Sequence, residues 1–295
     1  GDFLTSRNLW NLSVQSASIA VMATGMVLII VSRNIDLSVG SVLGFLGYVM
    51  AMVQTRWIPN TFHLGLNRWY TWIVALAVGL LIGAAVGGVQ GAIIAYGGVP
   101  AFIVTLGGFL VWRGLIFRMG EQGQTLSPLD DKFGRIGGGA DGSLGDWRSW
   151  LVGLIGCVAI VASIFLARRR RRRFDLGVRP MFIDVGLAVL GCVVIVLGIG
   201  LIAVGYKSPV SGDAAGIAYP VLILVVVTLG MTYIARRRRF GRYVYAIGGN
   251  PEAAELGGIN TRRTIMMTFV LMGILCAISA AIQTARLDAA VTNLG

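Results

Sequence analysis

Gly249-Asn250-Pro251-Glu252-Ala253-Ala254-Glu255-Leu256-Gly257-Gly258-Ile259-Asn260 lies between two long apolar runs, 218–235 and 265–285. Arg236 to Arg239 and Arg242 precede it, and Arg262 and Arg263 follow it. Its start and stop chemistry is local. Asn at position 250 favours an N-cap, because its side-chain oxygen can accept an otherwise unpaired backbone N–H. Pro251 suits the first helical position, where no N–H is needed, and Glu252 suits the positive end of the helix dipole. Gly257 and Gly258 permit a left-handed exit. The spacing predicts a helix over Pro251–Leu256, with Ala253 and Ala254 giving a small face. So short a helix is unstable alone in water, so it must be held by packing. A rigid stub in a positively charged connection between membrane runs is a grip for a soluble partner.

Outward from that stub the chain is apolar. It is 56% hydrophobic and 13% charged, with a mean hydropathy of +0.79. That balance excludes a soluble globular domain. Eight runs approach the roughly 20 residues needed to span a bilayer: 12–31, 39–56, 71–95, 101–119, 150–167, 181–206, 218–235 and 265–285. The second is short and glycine-rich, and the fourth contains Arg113. The expected fold is an all-α, polytopic helical bundle forming a single transmembrane domain over 1–295. Gly1 is no initiator, so a piece of a longer polypeptide is expected, with further terminal segments outside it.

Net charge is +12, carried by arginines grouped in a few connections. Grouping beside apolar runs reports membrane orientation rather than nucleic-acid binding. Arg168 to Arg173 and the arginines around the stub both follow odd-numbered runs, so both belong on the cytoplasmic side. The six-arginine run is read as a topology anchor. The 120–149 connection then faces outward. It carries Glu121, Asp130, Asp131, Asp141 and Asp146 against Lys132, Arg135 and Arg148, and forms an external docking surface with room for a short helix.

Enzymatic motifs are missing from the sequence. A phosphate-binding Gly-Lys-Ser/Thr loop is excluded, because Asp131 precedes Lys132 and Tyr206 precedes Lys207. His63 stands alone and is given no role. Cys157, Cys192 and Cys276 lack metal-ligand or redox spacing and read as small apolar residues.

Gly79, Gly83, Gly87 and Gly91 place a glycine ridge on one helix face, and Gly40 and Gly44 repeat the pattern. Such ridges let helices approach closely in lipid, here within one compact bundle. Asn34-Ile35-Asp36-Leu37-Ser38-Val39-Gly40-Ser41 interrupts an apolar region with an ionisable group. One reading puts Asp36 on a transport pathway. The other has it cap the next helix.

These stretches resemble the permease subunits of bacterial ABC importers for ribose- and xylose-type monosaccharides, in the branched-chain amino acid/ribose permease-like family. Residues 34–41 are similar to that family's Gly-Ile-Asp-Leu-Ser-Val-Gly-Ser signature, with Asn34 in place of the glycine. Pro100-Ala101-Phe102-Ile103-Val104-Thr105-Leu106-Gly107 resembles its segment entering the next helix. Gly241 to Asn250, with Ala253-Ala254 and Gly258-Ile259-Asn260, resembles its cytoplasmic coupling region. The longer interval between the external loop and the coupling region is similar to the xylose type.

The resemblance implies that Gly249 to Asn260 docks on a separate ATPase subunit, which would bind ATP and magnesium. This chain would bind no cofactor, hold no metal and catalyse nothing itself. It further implies a second permease copy, a periplasmic sugar-binding protein and residence in the bacterial inner membrane. Asp36, Ser38 and Ser41, with Phe102 and Thr105, are the expected path residues. An ion-coupled secondary transporter is the alternative, supported only by the in-helix charges Arg113 and Asp184.

Overall fold

The computed structural model describes residues 4–62, 67–120, 123–138, 141–174, 177, 180–207 and 212–292. His63, Glu121 and Arg179 lie outside the described residues. The described residues are helical, with isolated bridges only. Two compact units emerge: Gly1–Ser13 with Ser143–Ala218, and Val14–Gly142 with Tyr219–Gly295.

In the larger unit, helix α1 (Ser6–Val31, which begins in the smaller unit) is followed by α2 (Val39–Met52). A π-helical turn, Val53–Trp57, and α3 (Ile58–Phe62) extend α2. Then come α4 (Thr71–Gly97), α5 (Ala101–Met119), and the short α6 (Asp131–Gly134) with a 3-10 turn at Arg135–Gly137. The smaller unit contains α7 (Asp146–Arg173) and α8 (Met181–Leu197), which continues as a π-helical turn over Gly198–Val204. The larger unit closes with α9 (Tyr219–Arg237), α10 (Arg239–Gly249), α11 (Pro251–Leu256) and α12 (Thr261–Leu287).

Seven of these helices are long and apolar enough to cross a membrane. They match seven of the eight expected runs. The exception is 39–56, which gives only the 14-residue α2 before the π-helical turn. Every residue from Ser41 to Ala51 is buried. A helix covered on all faces is a core element surrounded by protein.

The core of the larger unit is α12 against α4 and α2. In α12, 61% of the most apolar window is buried, against 6% in α7. The peripheral helices therefore turn apolar side chains outward, as helices do where lipid is the solvent. Gly83, Gly87 and Gly91 of the predicted glycine ridge line the α4–α12 seam, while Gly79 lies against Met50 of α2. A methyl group on Gly83 would strike the carbonyl of Gly273, and one on Gly87 would strike that of Phe269. On Gly91 it would come within 2.8 Å of the Met266 carbonyl oxygen. The obstacles are backbone atoms, which cannot rotate away. Gly87→Leu is therefore expected to destabilise the bundle by about 3 kcal/mol, the upper part of the overpacking range. Thermal unfolding in detergent measures this; an unchanged midpoint would show that the two helices can part freely.

Within the 120–149 connection, residues 123–138 are packed onto the bundle. Asp130 caps α6 by accepting from the Lys132 and Phe133 amides, and its own amide donates to Gln54 Oε1 at 3.1 Å. Phe133 is fully buried, and Gly137 lies directly on the backbone of Ala285 and Arg286. Tyr48 donates to the Gln124 carbonyl at 3.1 Å. Residues 124–137 thus close over the ends of α2 and α12.

In the smaller unit, Arg168 donates to Asp184 at 2.6 Å across α7 and α8. Both side chains are about one-fifth exposed. The Trp10 indole donates to the Gly216 carbonyl at 2.9 Å.

Candidate functional site: a capped stub and a polar seam

The stub forms as its sequence dictates. Asn250 Oδ1 accepts from the Ala253 amide at 3.0 Å, with Pro251 at the first helical position. At the far end the Gly258 amide bonds the Glu255 carbonyl, and the Ile259 amide bonds that of Ala254. That pair of bonds is a Schellman ending. The left-handed residue is Gly258 alone, at φ 82°, whereas Gly257 keeps φ −75°. Asn260 then caps α12 by accepting from the Arg263 amide at 2.8 Å. Of the two alanines only Ala254 faces inward and is buried; Glu252, Ala253 and Glu255 are exposed. Leu256 is 91% exposed.

Sequence reasoning missed the helix ahead of the stub. Residues 239–249 form α10, whose Gly241, Val244 and Ile247 are buried. The spacing of Phe240, Val244 and Ile247 carried the signal, but the flanking arginines masked it. Gly241 lies against the carbonyls of Ile234 and Ala235, which lets the chain fold back sharply after α9.

A second cluster lies where α2, α4 and α5 meet. Asp36 is buried and its Oδ1 accepts from the Ser38 amide at 2.9 Å and from Ser38 Oγ at 2.7 Å. Burial pushes the Asp36 carboxyl up from its ordinary value, and the two bonds from Ser38 act against that. Gln90 Nε2 reaches Ser38 Oγ at 3.1 Å, and Ser41 Oγ donates to the Ser38 carbonyl at 2.9 Å. Thr105 Oγ1 donates to the Ala101 carbonyl at 2.8 Å and is 3.4 Å from the Ile35 carbonyl. Thus Asp36, Ser38, Ser41 and Thr105 come together. Phe102 points outward at 53% exposure and does not join them.

Asp36 orders the turn ahead of α2, but it is not the helix cap that one reading of the sequence expected, because it stands two residues before the N-cap position. The N-cap residue is Ser38, whose side chain bonds no helix amide. Asp36 instead fixes Ser38 through an Asx turn.

Gln90 and Trp112 were not foreseen. Ser38, Ser41 and Phe45 share one face of α2; Thr105, Gly108 and Trp112 share one face of α5. Gly108 leaves room for the Gln90 amide, which a methyl group there would strike. The Phe45 and Trp112 ring centroids are 5.1 Å apart, and the buried Trp112 Nε1 has no hydrogen-bond partner. A lone amide in an otherwise apolar α4 was the readable clue. Among the described residues, no group of three or more His, Cys, Asp or Glu could hold a metal ion.

A model of the family described as branched-chain amino acid transport system / permease component matches residues 8–295. The chain belongs to this permease family. Among its relatives is the xylose transport system permease protein XylH of Haemophilus influenzae, 36% identical over all of this chain and 72% of its own length. XylH of Escherichia coli is 37% identical over all of this chain and 69% of its own length. The E. coli ribose import permease protein RbsC is 29% identical over all of this chain and 66% of its own length. No solved structure matches the chain. Its membrane-capable helices make this permease a multi-pass membrane protein.

Proposed function

We propose that the chain is the membrane subunit of an ATP-driven ABC importer for a monosaccharide, with xylose the favoured sugar. One observation carries this reading: the greater identity to xylose permeases than to the ribose permease, over the whole chain in each case. The capped, outward-facing α11 supports it, because a stub held rigid at both ends can transmit force. ATP and magnesium belong to a separate ATPase subunit, which docks on Gly249 to Asn260. A periplasmic sugar-binding protein and a second permease copy complete the assembly in the bacterial inner membrane. Asp36, Ser38, Ser41 and Thr105 border the sugar path, with Gln90 added to them and the outward-facing Phe102 left out.

The ion-coupled alternative loses support from the fate of its charges. Asp184 is engaged by Arg168 at 2.6 Å, and Arg113 lies 5.8 Å from the Phe109 ring centre.

Two measurements test the proposal. Affinity purification from the source membrane should recover an ATPase in fixed ratio with the permease; a secondary transporter or scaffold would bring none. A cysteine replacing Glu252 should react with a membrane-impermeant thiol reagent only in inside-out vesicles. Labelling in intact cells would put α11 outside and defeat the importer reading.

A further inference from the structure

Two helix C-termini meet beside the stub. α1 ends at Val31 and α10 ends at Gly249. Unpaired carbonyls and the helix dipole make each end partially negative. The two ends approach so closely that a methyl group on Gly248 would strike the Val31 carbonyl. One cation serves the junction: Arg33 Nε donates to the Gly248 carbonyl at 2.8 Å, and its Nη2 donates to the Gly249 carbonyl at 2.7 Å. Arg33 holds φ at 62°, a left-handed conformation that costs a non-glycine residue energy unless its surroundings fix it. The Asn34 amide, bonded to the Ile29 carbonyl at 3.1 Å, fixes the other side of that turn.

The position matters on both sides. Gly249 directly precedes Asn250, the cap of α11. Arg33 is three residues before Asp36, which holds Ser38, which in turn meets Gln90 of α4. We infer that Arg33 is the strut that links α11 to the Asp36 turn, so that displacement of the stub reaches the polar seam. Arg33 is a positioning residue: it acts on the carbonyls before the stub and touches neither sugar nor nucleotide. The flat guanidinium fork suits two neighbouring carbonyls, and a lysine ammonium offers no such paired geometry.

This inference rests on the importer reading, and its test separates the two. The complete transporter is reconstituted in proteoliposomes with wild-type permease, Arg33→Ala or Arg33→Lys. Xylose taken up per ATP hydrolysed is measured, together with the ATPase recovered per permease. Arg33→Ala should retain the wild-type complement of ATPase, while uptake per ATP falls at least about tenfold, within the usual span of allosteric coupling. Arg33→Lys should restore part of the loss. Uptake per ATP within about twofold of wild type in Arg33→Ala would overturn the inference, as would loss of the ATPase, which would make Arg33 part of the docking surface. If Arg33→Ala does not fold, Arg33→Lys carries the test, and unchanged coupling in it overturns the strut. If wild-type permease recovers no ATPase, the importer reading fails. The strut is then judged by hydrogen exchange in the detergent-solubilised permease. Amides from Asn250 to Leu256 should exchange about tenfold faster in the arginine variants, and unchanged exchange overturns it.

Discussion

Replacing Leu256 with glutamate is expected to strip the ATPase from the permease while leaving the bundle intact. At 91% exposure Leu256 contributes almost nothing to the fold, so its replacement removes no internal packing. A leucine at the end of a rigid stub is, in contrast, the side chain best placed to enter a partner's cleft. Burying a leucine is worth about 1.5–3 kcal/mol, and an unpaired carboxylate in the same cleft adds a desolvation cost. Together these predict at least about a hundredfold loss of affinity. Pull-down stoichiometry reads the loss, and thermal unfolding of the isolated permease should show no shift. An ATPase retained at the wild-type ratio would remove Leu256 from the docking surface. Ala254 provides the contrast, because its methyl group is buried within the permease. Enlarging it would disturb the seating of α11 and could not isolate the docking term.

The stub was legible in the sequence because caps are local. Asn250, Pro251 and Gly258 each act on backbone groups within four residues, and no distant contact is needed to place them. The glycine ridge was equally legible, since a four-residue repeat fixes a helix face whatever packs on it. It could not name the partner: that α12 supplies it follows only from the carbonyls of Phe269 and Gly273 lying under Gly87 and Gly83. The polar seam was half legible. Its serines and Asp36 adjoin in the chain, but Gln90 reaches Ser38 across 52 residues and Trp112 joins only through the pairing of α2 with α5. Phe102 shows the opposite error. It neighbours Ala101, which is buried, yet one step of about 100° around the helix turns it outward. The second apolar run was legible as helix but not as a π-turned, fully enclosed one, because enclosure depends on the neighbours.

Asp36→Ala is expected to lower xylose uptake about a hundredfold or more while ATPase recovery stays at the wild-type level. The carboxylate holds the Ser38 amide and hydroxyl together. Its removal leaves two buried donors without that acceptor, at about 1–3 kcal/mol for each group left unmet. The variant should therefore also unfold at lower temperature. Asp36→Asn separates the two consequences. Its side-chain oxygen can still accept from Ser38, and it carries no charge. The folded-state pKa of Asp36 is raised, so at neutral pH the ionised form is the one that burial disfavours. The sign follows: this group's contribution to stability is greatest in acid and is lost as pH rises through the folded-state value. Asparagine should thus match or exceed the wild-type unfolding temperature at pH 7. If its uptake also returns to normal, Asp36 acts by shaping the turn. If uptake stays low in a fully stable Asp36→Asn protein, the charge itself faces the path. Unchanged uptake in Asp36→Ala would take the residue out of the site altogether and leave Ser38 and Gln90 to line the seam without it.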